Sequence, residues 1–502
     1  MQRTGLRFPT TVNLVLITSV LMLAPLAHAI WQEDWRAARA FFYSGALSAV
    51  IAVMVGLALA ARAAPASSTA VLVRLLLAYA LLPAVMAAPV SLLVPSISYG
   101  QAYFEMMSSL TTTGATVLSD VATVPESVHL WRAICGWAGG LLILVVAVAI
   151  LEPMKLGGFE LEAAIAPGRS LRRQSLGGGG TGERLWHHAR NVAPVYAALT
   201  AVLTFGLLLA GDRLLVALSH AMSVMSTSAI TPLESLSEAK SGYAGEVLIF
   251  LFLLLALSRN SIQLSRSESG RGPLRDPEYR LAAVIVLSVS GLLFARHFFG
   301  AVDVEEQGNL RAAATALWGG LFNVLSFLST TGFESRDWAE ARDWSGLETP
   351  GLILLLLCLV GGGVATTAGG VKLLRVYALY KHGVREMQRL IHPNSVGGAG
   401  ITARRIRREG ALIAWVFLMM FLLGMSLLLL VLTALGQNFD DALALSVAAL
   451  SNTGPAAQLL NPEFSYTALD PATRAVLSVA MVFGRVEVLV FVSLLNPDFW
   501  RR

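Results

Sequence analysis

Apolar residues in this chain are gathered into long runs instead of recurring at the three-to-four spacing of a helix with one buried face. Runs of about twenty residues match the hydrocarbon thickness of a bilayer. A soluble chain supplies too little covering surface for so many helices that are apolar all round. The pattern predicts an all-α polytopic membrane protein with about ten transmembrane helices. Their cores lie at 11–29, 44–61, 70–93, 137–150, 195–209, 247–257, 281–295, 352–364, 412–435 and 476–495. Between later pairs of runs stand moderately apolar segments, such as 103–110 and 442–450, that are too short to span. Such segments are expected to enter the membrane and return on the same side.

The first run is preceded by Arg3 and Arg7 and ends in Ala27-His28-Ala29, the pattern of a cleavable secretory signal. A second apolar run follows closely, and an even number of crossings requires the first, so the first helix is expected to be retained. Basic residues set the orientation. Lys155, Arg169, Arg172, Arg173, Arg184 and Arg190 lie between the fourth and fifth runs, and Arg259, Arg266, Arg271, Arg275 and Arg280 between the sixth and seventh. After the eighth come Lys372, Arg375, Lys381, Arg385, Arg389, Arg404, Arg405, Arg407 and Arg408. These loops are expected to face the cytoplasm, with both termini inside.

The opposite loops are acidic, at Glu234, Glu238, Glu246, Asp303, Glu305, Glu306, Asp440, Asp441, Glu463 and Asp470, which raises the local concentration of cations. The chain is 55% hydrophobic and 14% charged, and its formal charge of +5 reports this asymmetry. It does not point to nucleic acid, because no basic patch is interleaved with stacking aromatics. Cys135 and Cys358 give neither a disulfide framework nor a metal cluster. The run 177–182 lacks the residues and strand of a phosphate loop, His187 and His188 lack partners at ligand spacing, and no nucleophile elbow is present. An enzyme is not expected.

After the first two helices, a unit of helix, short semi-polar stretch and helix recurs four times. The stretches are Ser109-Leu110-Thr111-Thr112-Thr113-Gly114-Ala115-Thr116, Met225-Ser226-Thr227-Ser228-Ala229, Ser329-Thr330-Thr331-Gly332-Phe333 and Ser451-Asn452-Thr453-Gly454-Pro455. Aligned on the residue after the threonine, they pair Gly114, Ser228, Gly332 and Gly454. Four such loops about one axis would present rings of carbonyls able to replace the water shell of a bare cation. The expected filter residues, and the places where K+ would bind, are Thr112, Thr113, Gly114, Thr227, Ser228, Thr331, Gly332, Thr453 and Gly454.

The eighth run leads into Gly361-Gly362-Gly363-Val364-Ala365-Thr366-Thr367-Ala368-Gly369-Gly370-Val371-Lys372, too rich in glycine for a firm helix. It is either a flap across the inner mouth of a pore or an exit loop at the cytoplasmic surface. Arg485 and Glu487 lie in the last apolar run, where ionisable groups are costly. Arg485 either rests against carbonyls of that flap or lies with Glu487 near the interface.

The ordered set of motifs resembles the Trk/Ktr superfamily of potassium-uptake proteins, in particular the membrane subunit of the bacterial Trk system. It rests on Phe104-Glu105 with the first threonine stretch, Pro153 with Gly157-Gly158, Asp276-Pro277-Glu278, and Thr330-Thr331-Gly332-Phe333. Further matches are Ala368-Gly369-Gly370-Val371-Lys372, Arg389-Leu390-Ile391-His392-Pro393, Ser451-Asn452-Thr453-Gly454-Pro455, Gly484-Arg485-Val486-Glu487 and Asn496-Pro497-Asp498-Phe499-Trp500. The resemblance implies four helix–re-entrant loop–helix repeats around a pseudo-fourfold pore, preceded by two extra helices. It implies uptake of K+, a homodimer in the inner membrane, and a cytoplasmic ring of nucleotide-binding regulatory subunits. The nucleotide would belong to that partner, so no cofactor is expected in this chain. It also implies that Gly114, Gly332 and Gly454 are filter glycines, that Gly361, Gly362, Gly363, Thr366, Thr367, Gly369, Gly370 and Lys372 form a gating loop, and that Arg485 is the pore-facing arginine beside it.

The expected units are the N-terminal helices at 1–66, then pore repeats at 67–165, 166–270, 271–390 and 391–502. The second stretch departs from the family's Thr-Gly-Gly-Phe at Thr227-Ser228-Ala229-Ile230, which leaves permeation by Na+ beside K+ open. A sodium-coupled carrier of another solute is the alternative. It would need inverted repeats around a central pocket, whereas these repeats share one orientation.

Overall fold

The structure is a computed structural model that describes residues 8–60, 68–118, 120–151, 181–258, 276–300, 309–345, 350–392 and 410–487. The described residues form helices, turns and loops and contain no strand. In chain order the helices are α1 (Thr10–Leu21), α2 (Leu23–Trp31), α3 (Trp35–Ala60), α4 (Ser68–Leu93), α5 (Tyr99–Leu110) and α6 (Glu126–Val146). Next come α7 (Thr181–Leu209), α8 (Leu214–Ser226), α9 (Gly242–Leu253), α10 (Pro277–Gly300), α11 (Asn309–Leu328) and α12 (Trp338–Ser345). The series ends with α13 (Gly351–Val360), α14 (Leu373–Ile391), α15 (Ala411–Ala434), α16 (Phe439–Ser451) and α17 (Pro471–Val486).

Seven of these stretches are long and apolar enough to cross a membrane, and they coincide with seven of the ten predicted runs. The other three runs fall on shorter helices. The sixth closes in a tight turn at Leu254–Leu257 after α9. The eighth does not run on to residue 364, because α13 ends at Val360 and Gly361 takes a φ of 71°. In the tenth, α17 ends at Val486 and Glu487 takes a φ of 70°; the remainder of that run lies outside the described residues. Apolar composition alone cannot register these left-handed backbone positions, which end a helix whatever its hydropathy.

The four short helices that precede the hydroxyl-rich stretches sit in equivalent surroundings. α5 packs between α4 and α6, α8 beside α7 and α9, α11 beside α10 and α13, and α16 between α15 and α17. Each also touches the outgoing helix of the preceding unit: α8 packs on α6, α11 on α9, α16 on α13, and α5 on α17. The series of contacts thereby closes on itself. Close approach on α6 depends on small residues at helical spacing, Gly136, Gly139 and Gly140. A methyl group at Gly139 would strike the Leu110 carbonyl at the end of α5, and one at Gly140 would come within 2.9 Å of the Ser226 side chain at the end of α8.

α1, α2 and α3 lie outside that series and cover α4 and α6. Phe41 of α3 packs edge-on to Trp131 of α6, with ring centres 6.0 Å apart, and the buried indole donates to the Met86 carbonyl of α4 at 3.0 Å. Three expected unit boundaries, after 66, 165 and 270, fall outside the described residues, as do Arg3, Arg7, most of the basic loops, Asp303, Glu305, Glu306, Pro153, Gly157, Gly158 and 496–500. Of 177–182, only Thr181 and Gly182 are described, and they open α7.

Candidate ion pathway

The short helices α5, α8, α11 and α16 end in the same hydrogen-bonded structure. Thr112, Thr227, Thr330 and Asn452 each take a left-handed conformation, with φ of 55°, 53°, 57° and 54°. Their amides donate to Ser109, Val224, Phe327 and Ala449. The amides of the following residues, Thr113, Ser228, Thr331 and Thr453, reach back to Ser108, Ser223, Ser326 and Ala448. This is a Schellman termination, which satisfies carbonyls that a helix otherwise leaves bare. The hydroxyls repeat as well. Thr111 and Thr113 meet at 2.8 Å, Ser226 and Ser228 at 2.9 Å, Ser329 and Thr331 at 2.9 Å, and Ser451 and Thr453 at 3.1 Å.

This fourfold pattern corrects the register expected for the second loop. Ser228 occupies the place of Thr113, Thr331 and Thr453, and Ala229 is the residue that corresponds to Gly114, Gly332 and Gly454. Alignment on the residue after a threonine misplaces it because Thr227 is the left-handed residue, equivalent to Thr112, while serine supplies the next hydroxyl. Ala229 itself has a φ of 50°, where Gly114 has 77° and Gly332 has 86°.

The loops touch one another. The Gly454 amide donates to the Thr113 carbonyl at 2.5 Å, the Asn452 side-chain amide to Thr113 Oγ1 at 3.1 Å, and Thr453 Oγ1 to the Thr330 carbonyl at 3.3 Å. A side chain at Gly114 would collide with the Ser228 carbonyl, and one at Gly332 would lie 3.1 Å from Pro455. Two of the candidate carbonyls are therefore engaged by protein donors: Thr113 by Gly454, and Gly454 by the Tyr466 hydroxyl at 2.8 Å.

Outside this ring, a side chain seven residues before the left-handed residue in each of three loops ties down its own outgoing loop. Buried Glu105 pairs with Arg132 of α6 at 2.6 Å and accepts from the Val117 amide at 2.8 Å and from Thr116 at 3.1 Å. His220 hydrogen-bonds Thr231 at 2.9 Å, and Asn323 accepts from the Ser335 amide at 2.8 Å. The fourth position is apolar, Leu445, and Tyr466 does the tying instead.

The glycine-rich segment after α13 is buried and pinned, which excludes an ordinary exit loop. The Gly363 amide donates to the Ala256 carbonyl at 3.0 Å and the Val364 amide to Glu278 at 2.9 Å. Thr367 Oγ1 reaches the Met225 carbonyl near the end of α8 at 3.2 Å, and the Gly369 amide reaches Thr330 Oγ1 at 2.7 Å. A methyl at Gly369 would collide with the Ser451 carbonyl, so the segment lies directly against the ends of α8, α11 and α16. Arg485, 4% exposed, donates through Nη1 to the Thr367 carbonyl at 2.5 Å, the first of its two expected placements. Its Nε and Nη2 find no acceptor among the described residues. Lys372 donates to the Ala368 carbonyl. Beyond the segment, Arg375 pairs with Glu487 at 2.8 Å and stacks 3.6 Å over the Phe417 ring.

The structure thus gathers every expected filter residue at the ends of α5, α8, α11 and α16, and places Thr367 and Gly369 of the expected gating segment against the ends of α8, α11 and α16. Sequence reasoning missed the equivalence of Ala229, the pinning roles of Thr330, Asn452 and Glu278, and the Arg375–Glu487 pair. The common spacing of Glu105, His220 and Asn323, each seven residues before Thr112, Thr227 and Thr330, was the available signal for the outer ties.

The family model for the cation transport protein TrkH matches residues 85–233 and 279–497. The Trk system potassium uptake protein TrkH of Salmonella typhimurium is 30% identical over 416 residues, covering 81% of this chain and 80% of that protein. TrkG of Escherichia coli strain K12, a Trk system potassium uptake protein, is 28% identical over 415 residues, covering 81% and 80%. The crystal structure of the potassium transporter TrkH from Vibrio parahaemolyticus superposes with a TM-score of 0.80 at 26% identity, covering 98% of each chain. The match over most of the chain, together with the shared helical architecture, makes this protein a multi-pass membrane member of the TrkH family of cation transport proteins.

Proposed function

We propose that this chain moves monovalent cations across the bacterial inner membrane, chiefly K+ with Na+ also permeating, along an axis framed by the four hydroxyl-rich loops and gated by 361–372. The observation that carries the reading is the fourfold recurrence of one hydrogen-bonded helix ending, in helices whose contacts close on themselves. Helix C-termini carry partial negative charge, so four of them facing one region favour a cation there. The relatives' description as potassium uptake proteins supports K+ as the principal cargo. The ion-binding groups would be Thr112, Thr113, Gly114, Thr227, Ser228, Ala229, Thr331, Gly332, Thr453 and Gly454. Because the Thr113 carbonyl accepts from the Gly454 amide, an ion at that level must replace this bond.

The same reading divides the chain into two N-terminal helices and four pore repeats bounded near 66, 165, 270 and 390. It makes the protein a homodimer with both termini in the cytoplasm, docked to a nucleotide-binding regulatory ring and needing no cofactor of its own. The test is flux of K+, Rb+ and Na+ into liposomes holding the purified protein, paired with rescue of an uptake-deficient cell in low potassium. Uptake of K+ ahead of Na+ is expected. Absence of cation flux from folded, inserted protein, or solute uptake without it, overturns the reading.

A further inference from the structure

Four residues occupy the same left-handed position at the base of the loops, and their side chains are used differently. Thr112 Oγ1 is buried and has no hydrogen-bond partner among the described residues. Thr227 Oγ1 turns back to its neighbour, the Ser226 carbonyl, at 2.7 Å. The Asn452 side-chain amide is shared between Thr113 and the Met481 carbonyl. Thr330 differs from all three, because its hydroxyl accepts the Gly369 amide of the glycine-rich segment at 2.7 Å.

The consequences do not stop at Thr330. Its carbonyl accepts from Thr453 Oγ1 of the fourth loop, and the next amide of that loop, from Gly454, donates to the Thr113 carbonyl of the first. Gly369 is also wedged against the Ser451 carbonyl, where no side chain fits. A continuous series of hydrogen bonds therefore runs from the glycine-rich segment through the third loop to the fourth and the first. Departure of Gly369 leaves a buried hydroxyl without its donor, and such a group re-pairs by turning toward the nearest polar atoms.

We propose that Thr330 is a positioning residue that couples the gate to the filter: its hydroxyl holds Gly369 in the closed arrangement and, through the same residue's carbonyl, holds the third loop in register with the fourth. Gating and ion selection are then one linked equilibrium. This rests on the reading of 361–372 as the gate. Opening the segment loosens the third loop, and weakening the third loop loosens the segment, as reciprocity of coupling requires.

The experiment compares Thr330→Val, which keeps the shape and removes the acceptor, with Thr330→Ser, which keeps the hydroxyl. Basal flux of K+ and Na+ is measured in liposomes beside the parent and a variant lacking 362–369. Thr330→Val is expected to raise basal flux by about fivefold, the change that loss of one buried hydrogen bond makes in a two-state equilibrium, and to lower the K+-to-Na+ ratio together with it. Thr330→Ser is expected to restore both. If the deletion raises flux while Thr330→Val leaves flux and ratio at parental values, the coupling is refuted and the gate stands. If the deletion itself conducts no faster than the parent, the gate reading fails. Amide exchange of the parent protein supplies a readout independent of folding of the variants. Gly369 should exchange as slowly as Thr331 and Thr453, and fast exchange at Gly369 alone would overturn the proposal.

Discussion

At the position after the second hydroxyl of each loop, a methyl group separates the second loop from the other three. Ala229 stands at a φ of 50° where the first and third loops have glycine, and a non-glycine residue in that region costs about 1 kcal/mol. Ala229→Gly is therefore expected to raise thermal stability and, by making the second loop conform like the first and third, to raise the K+-to-Na+ permeability ratio. Ser228→Gly is expected to act the other way, since Ser228 bonds Ser226 at 2.9 Å and Ser223 at 3.2 Å, and losing those contacts costs about 1 kcal/mol. Thermal unfolding in detergent and flux in liposomes read both effects; equal behaviour of the two variants would remove the register argument. The hydroxyl-rich signature was legible in the sequence, because four matching stretches at a regular interval are a strong pattern. The register of the second was not, because Thr227-Ser228-Ala229 offers two small residues for one place and only backbone hydrogen bonds choose between them.

At the scale of elements, the break after α13 was visible as glycine in a place where helix was otherwise due. Its burial was invisible, since the groups that pin it come from far along the chain: Glu278 lies 86 residues away from Val364, and Glu487 lies 112 from Arg375. The end of α17 grips this region twice, through Arg485 on the Thr367 carbonyl and through Glu487 on Arg375. Arg485→Ala removes a cationic group and an anchor, so basal flux should rise. A folded, inserted variant that conducts no faster than the parent would place the gate elsewhere. Glu487→Gln should act chiefly on stability. It removes one charged partner of buried Arg375, a loss of at most about 3 kcal/mol that the guanidinium's other contacts, including Phe417 and the Val371 carbonyl, reduce. The measurable result is a lower unfolding temperature, and an unchanged one would mean that the guanidinium re-pairs within the site.

For the whole molecule, hydropathy was enough to give the class and seven of the long helices. Closure of the helix series was out of reach, because the contact of α5 with α17 joins the first unit to the last and leaves no mark in local pattern. That closure has a bearing on regulation. α14 leaves the glycine-rich segment and ends at Ile391, and Arg404, Arg405, Arg407 and Arg408 follow it in sequence, so in the proposed reading a partner held by those arginines acts on the glycine-rich segment through the stretch of chain that adjoins it. Their charges act over only about 8–10 Å at physiological ionic strength, which favours short-range docking to an acidic surface. Neutralising all four is expected to weaken association with a regulatory subunit and to flatten its salt dependence, with most of the loss in the association rate. Basal flux of the isolated chain should stay at the parental level, because the bonds that hold Gly369 and Thr367 come from Thr330, Met225 and Arg485. Binding kinetics at two salt concentrations, read beside flux from the same preparation, separate the two effects. Unchanged association would exclude this segment as the docking surface, whereas altered basal flux with intact docking would make it part of the gate.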